Sequence, residues 1–75
     1  MKISDLGSPE LPLQLSLKTP RSFRTNLAAF ECRQGTTVNL AQIDQENKKV
    51  LLDFGNRMIA WFYESVLNDF ETSTQ

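Results

Sequence analysis

The sequence predicts a mainly α-helical chain with one short strand, assembled as a dimer whose strands pair between copies, and with an additional helix at the C-terminus. Three observations lead there. Leu13-Gln14-Leu15-Ser16-Leu17-Lys18 alternates apolar and polar residues without a fault, which is the period of a strand. Thr19-Pro20 then reads as a helix start, and Phe23, Leu27 and Phe30 follow at i, i+4 and i+7 on one helical face. Finally, a chain of 75 residues buries too little apolar surface to be comfortable alone, and no second run of comparable quality pairs with the strand. The same strand of another copy is its cheapest partner.

Composition narrows the chemistry. The single Cys32 excludes an internal disulfide, and without histidine or a cysteine pair no zinc or redox site is recognisable, so no cofactor or metal is expected. No apolar run approaches membrane-spanning length, and the N-terminus lacks the layout of a signal peptide, which points to a soluble, cytoplasmic protein with no membrane partner. The net charge of −1 hides a polarised chain. Residues 1–43 carry five cations against three anions, while the remainder carries three against six. Lys18, Arg21 and Arg24 form a local basic cluster.

In chain order, residues 1–10 contain Gly7, Ser8 and Pro9 without a sustained period and read as a flexible arm. Pro12 stands at the start of the strand, where a missing N–H is tolerated. Leu15 and Leu17 then face the core while Gln14, Ser16 and Lys18 face outward. The first helix runs from Pro20 to about Gln34 and closes at Gly35, with Phe23, Leu27 and Phe30 in the core. A second helix starts within Thr36-Thr37-Val38-Asn39, capped by Thr37 or by Asn39 with Gln42 as its reciprocal partner. Leu40, Ile43, Asn47, Val50 and Phe54 continue it at helical spacing, and Gly55 either interrupts it or is passed through. Asn56 caps a third helix, Arg57 to Phe70, in which Met58 to Tyr63 leave no polar face, so something must cover that segment. Glu64, Asp69 and Glu71 make its other side acidic, and Thr72 to Gln75 form a frayed tail. The chain divides into an arm (1–10), a strand-and-two-helix domain (11–54) and a C-terminal helix with tail (55–75).

Leu15-Ser16-Leu17-Lys18-Thr19-Pro20, the spacing from Pro20 to Gly35, and Gly35-Thr36-Thr37-Val38-Asn39 resemble the ribbon-helix-helix DNA-binding family over residues 13–43. That resemblance implies an intertwined dimer with an intersubunit antiparallel β-ribbon lying in the major groove of double-stranded DNA. It places Gln14, Ser16 and Lys18 on base edges, and the backbone of Thr36, Thr37 and Val38 on a phosphate. Arg21 and Arg24, if they touch DNA, meet phosphate. Leu15, Leu17, Met58, Trp61 and Phe62 are the expected dimer or partner interface.

The function expected on this reading is sequence-specific DNA binding by a homodimeric transcriptional repressor, with higher oligomers on DNA as an extension. The alternative is an antitoxin or adaptor that captures a protein partner through the aromatic, acidic C-terminal helix. An enzyme is not expected: there is no Gly-rich phosphate loop and no motif placing a nucleophile beside a base.

Overall fold

Alternation runs further along the chain than the leucine stretch, and in the computed structural model, which describes residues 2–72, it builds seven strands and no α-helix. The mainly α class is thereby corrected to mostly β. The strands are β1 (Leu13–Leu17), β2 (Arg21–Arg24), β3 (Ala29–Cys32), β4 (Thr37–Asp44), β5 (Lys49–Asp53), β6 (Ile59–Tyr63) and β7 (Phe70–Thr72). Two short 3-10 turns, Ile3–Leu6 and Glu64–Asp69, complete the elements. Five strands form an antiparallel sheet in the order β6-β5-β4-β1-β7, and β2 with β3 makes a separate hairpin.

β1 occupies the alternating stretch, but its neighbours belong to the same chain. Leu15 stands opposite Val38 of β4 and Thr72 of β7, and Leu17 opposite Phe70. With both edges of β1 engaged, it cannot pair with the same strand of a second copy, which corrects the intersubunit ribbon and the intertwined dimer. The partner strands were missed because one carries a phase error and the other is three residues long. Val38 and Leu40 point inward at period two, a register shift between Leu40 and Gln42 inserts one residue, and Ile43 then faces Val50. Inward residues 40 and 43 therefore fall three apart, as on a helix face. Asn47, expected on a buried helical side, is exposed in the β4–β5 loop.

The predicted first helix is a hairpin for a comparable reason. Phe23 and Phe30 are seven apart, which suits two turns of helix and equally suits two facing positions of a hairpin; here they pair across the strands with ring centroids 5.9 Å apart. The turn chemistry decides. Thr25 N–H donates to the Ala28 carbonyl at 2.8 Å, and the Thr25 hydroxyl oxygen accepts the N–H groups of Leu27 and Ala28, both at 3.1 Å. Leu27, expected in the core, sits at this tip and is 86% exposed.

Phe23 shows how the sheet is shaped. Its ring lies 5.8 Å from Phe62 on β6 and 5.9 Å from Phe70 on β7, the two opposite edges of the five-stranded sheet. In a flat sheet those edges would be about 19 Å apart. The sheet therefore curls around the hairpin as a half-open barrel, and Phe23 plugs it. The arm joins this core: Ile3, in the first 3-10 turn, is buried within the apolar cluster, where an uncommitted segment was expected.

The predicted third helix is β6, a 3-10 turn and β7. Period two carries Ala60 and Phe62 inward and Ile59, Trp61 and Tyr63 outward, while Val66, Leu67 and Phe70 enter the core. The segment looked unpolar all round because both faces of the strand are apolar. The frayed tail lies outside the described residues beyond Thr72, which itself ends β7. Between β5 and β6 the Met58 N–H donates to the Gly55 carbonyl at 2.9 Å, and Asn56 (φ 52°) and Arg57 (φ 66°) both have positive φ, a type I′ turn. Gly55 thus neither breaks nor continues a helix. Asn suits its position, but Arg57 holds a left-handed conformation that glycine adopts without strain. Arg57→Gly should raise unfolding stability by about 1 kcal/mol, as read from the urea midpoint.

Candidate interaction surface

Two backbone bonds set the parity of β6. Phe54 N–H donates to the Met58 carbonyl at 2.8 Å at one end, and Glu64 N–H donates to the Lys48 carbonyl at 2.9 Å at the other. Antiparallel pairs alternate between bonded and non-bonded, so Met58, Ala60, Phe62 and Glu64 turn their backbone groups toward β5. Ile59, Trp61 and Tyr63 turn theirs away. β6 is the last strand in its sheet, so those N–H and carbonyl groups lie along an open edge. The same residues are the exposed ones by side chain: Ile59 53%, Trp61 46% and Tyr63 69%. Leu51 stands beside Trp61 across the strands, and the Lys49 ammonium lies 5.1 Å from the Tyr63 ring centroid.

A cleft of about 340 Å³ runs at this edge, lined by Thr25, Asn26 and Leu27 of the hairpin tip and by Arg57 to Trp61. Its lining includes residues from both faces of β6, which is possible only along the strand's free side. Edge strands usually carry a Lys, a Pro or an inward charge against unwanted pairing. β6, Ile-Ala-Trp-Phe-Tyr, carries none of them.

The residues expected to touch DNA occupy different places. Gln14, Ser16 and Lys18 do lie outward, but on or just after a central strand: Gln14 is opposite Asn39, and half-buried Ser16 lies between Thr37 and Glu71. Thr36, Thr37 and Val38 enter β4 instead of opening a helix, so no helix terminus is present for a phosphate; Thr36 spends its carbonyl on the Leu17 N–H at 2.9 Å and Val38 is buried. Arg21 forms an ion pair with Asp69 and lies over the Phe23 ring, its guanidinium carbon 4.9 Å from the centroid. That pair is partly exposed, contributes at most about 1 kcal/mol, and ties the hairpin to the turn before β7. Arg24 is exposed on the hairpin. Of the expected interface, Leu15 and Leu17 are core, Phe62 is inward and half-buried, and Met58 and Trp61 line the cleft. Ile59, Tyr63 and Leu27 were missed. The hydropathy of the segment was visible, but which half of it faced water depended on the strand period.

The acidic side expected of a third helix is dispersed: Asp69 is paired with Arg21, Glu71 lies on the outer sheet face, and a Glu64 carboxylate oxygen accepts the Ile3 N–H at 3.4 Å. A wider cleft of about 500 Å³ at Pro20, Arg21, Ser22, Glu31, Cys32 and Arg33 gathers opposite charges with no converging set of donors. Partial burial pushes the Cys32 thiol up. Among the described residues no group of three or more His, Cys, Asp or Glu could hold a metal ion, and no helix is long and apolar enough to cross a membrane.

Asp44 closes the β4–β5 loop. Its carboxylate accepts the Asn47 side-chain N–H at 2.9 Å and the Asn47 backbone N–H at 3.1 Å, and these bonds hold its pKa below the ordinary carboxylate value. A depressed folded pKa gives stability that is present above the ordinary value and lost as pH falls through the folded one. Asn47→Ala should move the Asp44 pKa back up toward that ordinary value in an NMR titration and remove part of this acid sensitivity.

Comparison of the chain with protein-family models, with curated proteins and with solved structures returns no match.

Proposed function

We propose that this protein is a small interaction module that binds another polypeptide along the open edge of β6. The observation that carries this reading is the coincidence, at Ile59, Trp61 and Tyr63, of backbone groups that are unpaired among the described residues with exposed large apolar side chains. Backbone groups along such an edge give affinity by adding a strand, and alternate side chains give selectivity. It is the adaptor reading of the sequence moved from a helix to a strand. The DNA reading depended on a ribbon of paired β1 strands, and β1 lies within a single chain's sheet.

Trp61 is expected to be the anchor, since tryptophan is enriched among the few residues that dominate binding energy. Trp61→Ala should weaken binding of an alternating apolar strand peptide by about 2 kcal/mol or more. Its effect on folding should be small, because nearly half of the side chain is already in water. Trp61 is the only tryptophan, so its fluorescence reports both the wild-type titration and, in competition form, the variant. A parallel titration with duplex DNA is the counter-test: sequence-selective DNA binding left unaltered by Trp61→Ala, with no response to strand peptides, would displace this reading.

A further inference from the structure

Resting on the reading of β6 as a docking edge, we propose that its occupant is a second copy of this chain, joined by antiparallel pairing of the two β6 strands about a two-fold axis at Trp61. The backbone parity permits this register. For two strands to bond, residues with outward backbone groups must oppose one another. Centring the axis on Trp61 sets Trp61 against Trp61 and Ile59 against Tyr63 in both directions, and all three residues have their groups on the open side. A register centred on Ala60 or Phe62 also opposes outward groups, but it sets Tyr63 against Arg57 in the β5–β6 turn, or Ile59 against Ser65 in the 3-10 turn, so only the Trp61 register pairs all three residues within the strands.

The side chains agree with the same register. Leu51 and Trp61 of one copy continue into Trp61 and Leu51 of the other, so the exposed rows merge into one apolar strip across the joint sheet. Tyr63 of the second copy comes beside Ile59, next to the cleft bordered by Leu27. Charge is complementary at the ends: β6 is preceded by Arg57 and followed by Glu64, and antiparallel pairing brings the Arg57 of each copy near the Glu64 of the other. Parallel pairing would set like charges together. This dimer shares nothing with a β1 ribbon, because it uses the edge that the fold leaves open.

Sedimentation velocity of the full chain over a concentration series tests it, together with Trp61 emission and amide exchange. The expected result is a monomer–dimer equilibrium in which emission shifts to the blue. The amides of Ile59, Trp61 and Tyr63 should become protected only as dimer forms, whereas those of Ala60 and Phe62 are protected at every concentration. Trp61→Arg, which places two cations across the axis, should abolish the dimer. Arg57→Glu and Glu64→Arg should each weaken it by about tenfold, each broken contact counting twice by symmetry. The double reversal should restore it. Because Glu64 also accepts the Ile3 N–H, each variant's unfolding midpoint is compared with the wild type, and the rescue by the double reversal is the decisive readout. A chain that stays monomeric at all concentrations, or a double reversal no better than the singles, overturns the proposal. In the monomeric case an added strand peptide separates the two levels: a Trp61 response would leave β6 as a docking edge for another polypeptide, and no response would remove that reading as well.

Discussion

Phe23→Ala is expected to unfold most of the chain at room temperature. The side chain is 2% exposed and its ring lies within 6 Å of four others, Phe30 at 5.9 Å, Phe54 at 4.9 Å, Phe62 at 5.8 Å and Phe70 at 5.9 Å. Removing a buried phenyl costs about 3 to 5 kcal/mol through lost transfer energy and the cavity left behind. A core in a chain of this size supplies only about 3 to 5 kcal/mol of net stability. The two figures are comparable, so the folded fraction should collapse. Phe23 is also where the two edges of the curled sheet converge, so its loss should release the hairpin and open the barrel together. Phe30→Ala, at a half-buried position of the same hairpin, is the milder comparison. Urea titration followed by far-ultraviolet circular dichroism measures both. A Phe23→Ala midpoint close to the wild-type value would mean that the hairpin does not close the sheet.

Leu15→Ala and Leu17→Ala should follow closely, each costing about 2 to 5 kcal/mol. Leu15 is 0% and Leu17 1% exposed, and β1 is the strand that joins the β4 side of the sheet to β7. The ends of β1 are tied as well: Leu17 N–H donates to the Thr36 carbonyl at 2.9 Å, Gly35 N–H to the Leu17 carbonyl at 2.8 Å, and Lys18 N–H to the Asp69 carbonyl at 2.7 Å. A cavity under β1 should therefore loosen the ladders on both of its sides. Amide exchange at Gly35, bonded to Leu17 on the β4 side, and at Lys18, bonded to Asp69 on the β7 side, should accelerate together in either variant. Faster exchange confined to one of these ladders would show that β1 does not couple them, and an unchanged melting temperature would show that it is not buried.

Much of the apolar inventory was legible from residue order alone. The alternation at Leu13 to Leu17 marks a strand, Leu15 and Leu17 mark its inward face, and Met58 to Tyr63 marks a segment without a polar face. The polar run Asp44 to Lys49, awkward inside a helix, is a loop held by Asp44 and Asn47. Thr25-Asn26 was a turn signal hidden beneath the stronger-looking spacing of Phe23, Leu27 and Phe30.

By itself the sequence determined where β1 lies, that Phe23 and Phe30 belong on one side, and that residues 58–63 are apolar on every side. Only the tertiary structure decided that β1 pairs with β4 and β7 within one chain, that residues 20–34 form a hairpin, and that Ile59, Trp61 and Tyr63 are the half of β6 left open. The physical reason is that strand pairing joins residues far apart in the chain, whereas periodicity reports only on neighbours. One inserted residue between Leu40 and Gln42 makes a strand imitate a helix, and a spacing of seven fits both, so the choice falls to the ladder that satisfies the backbone.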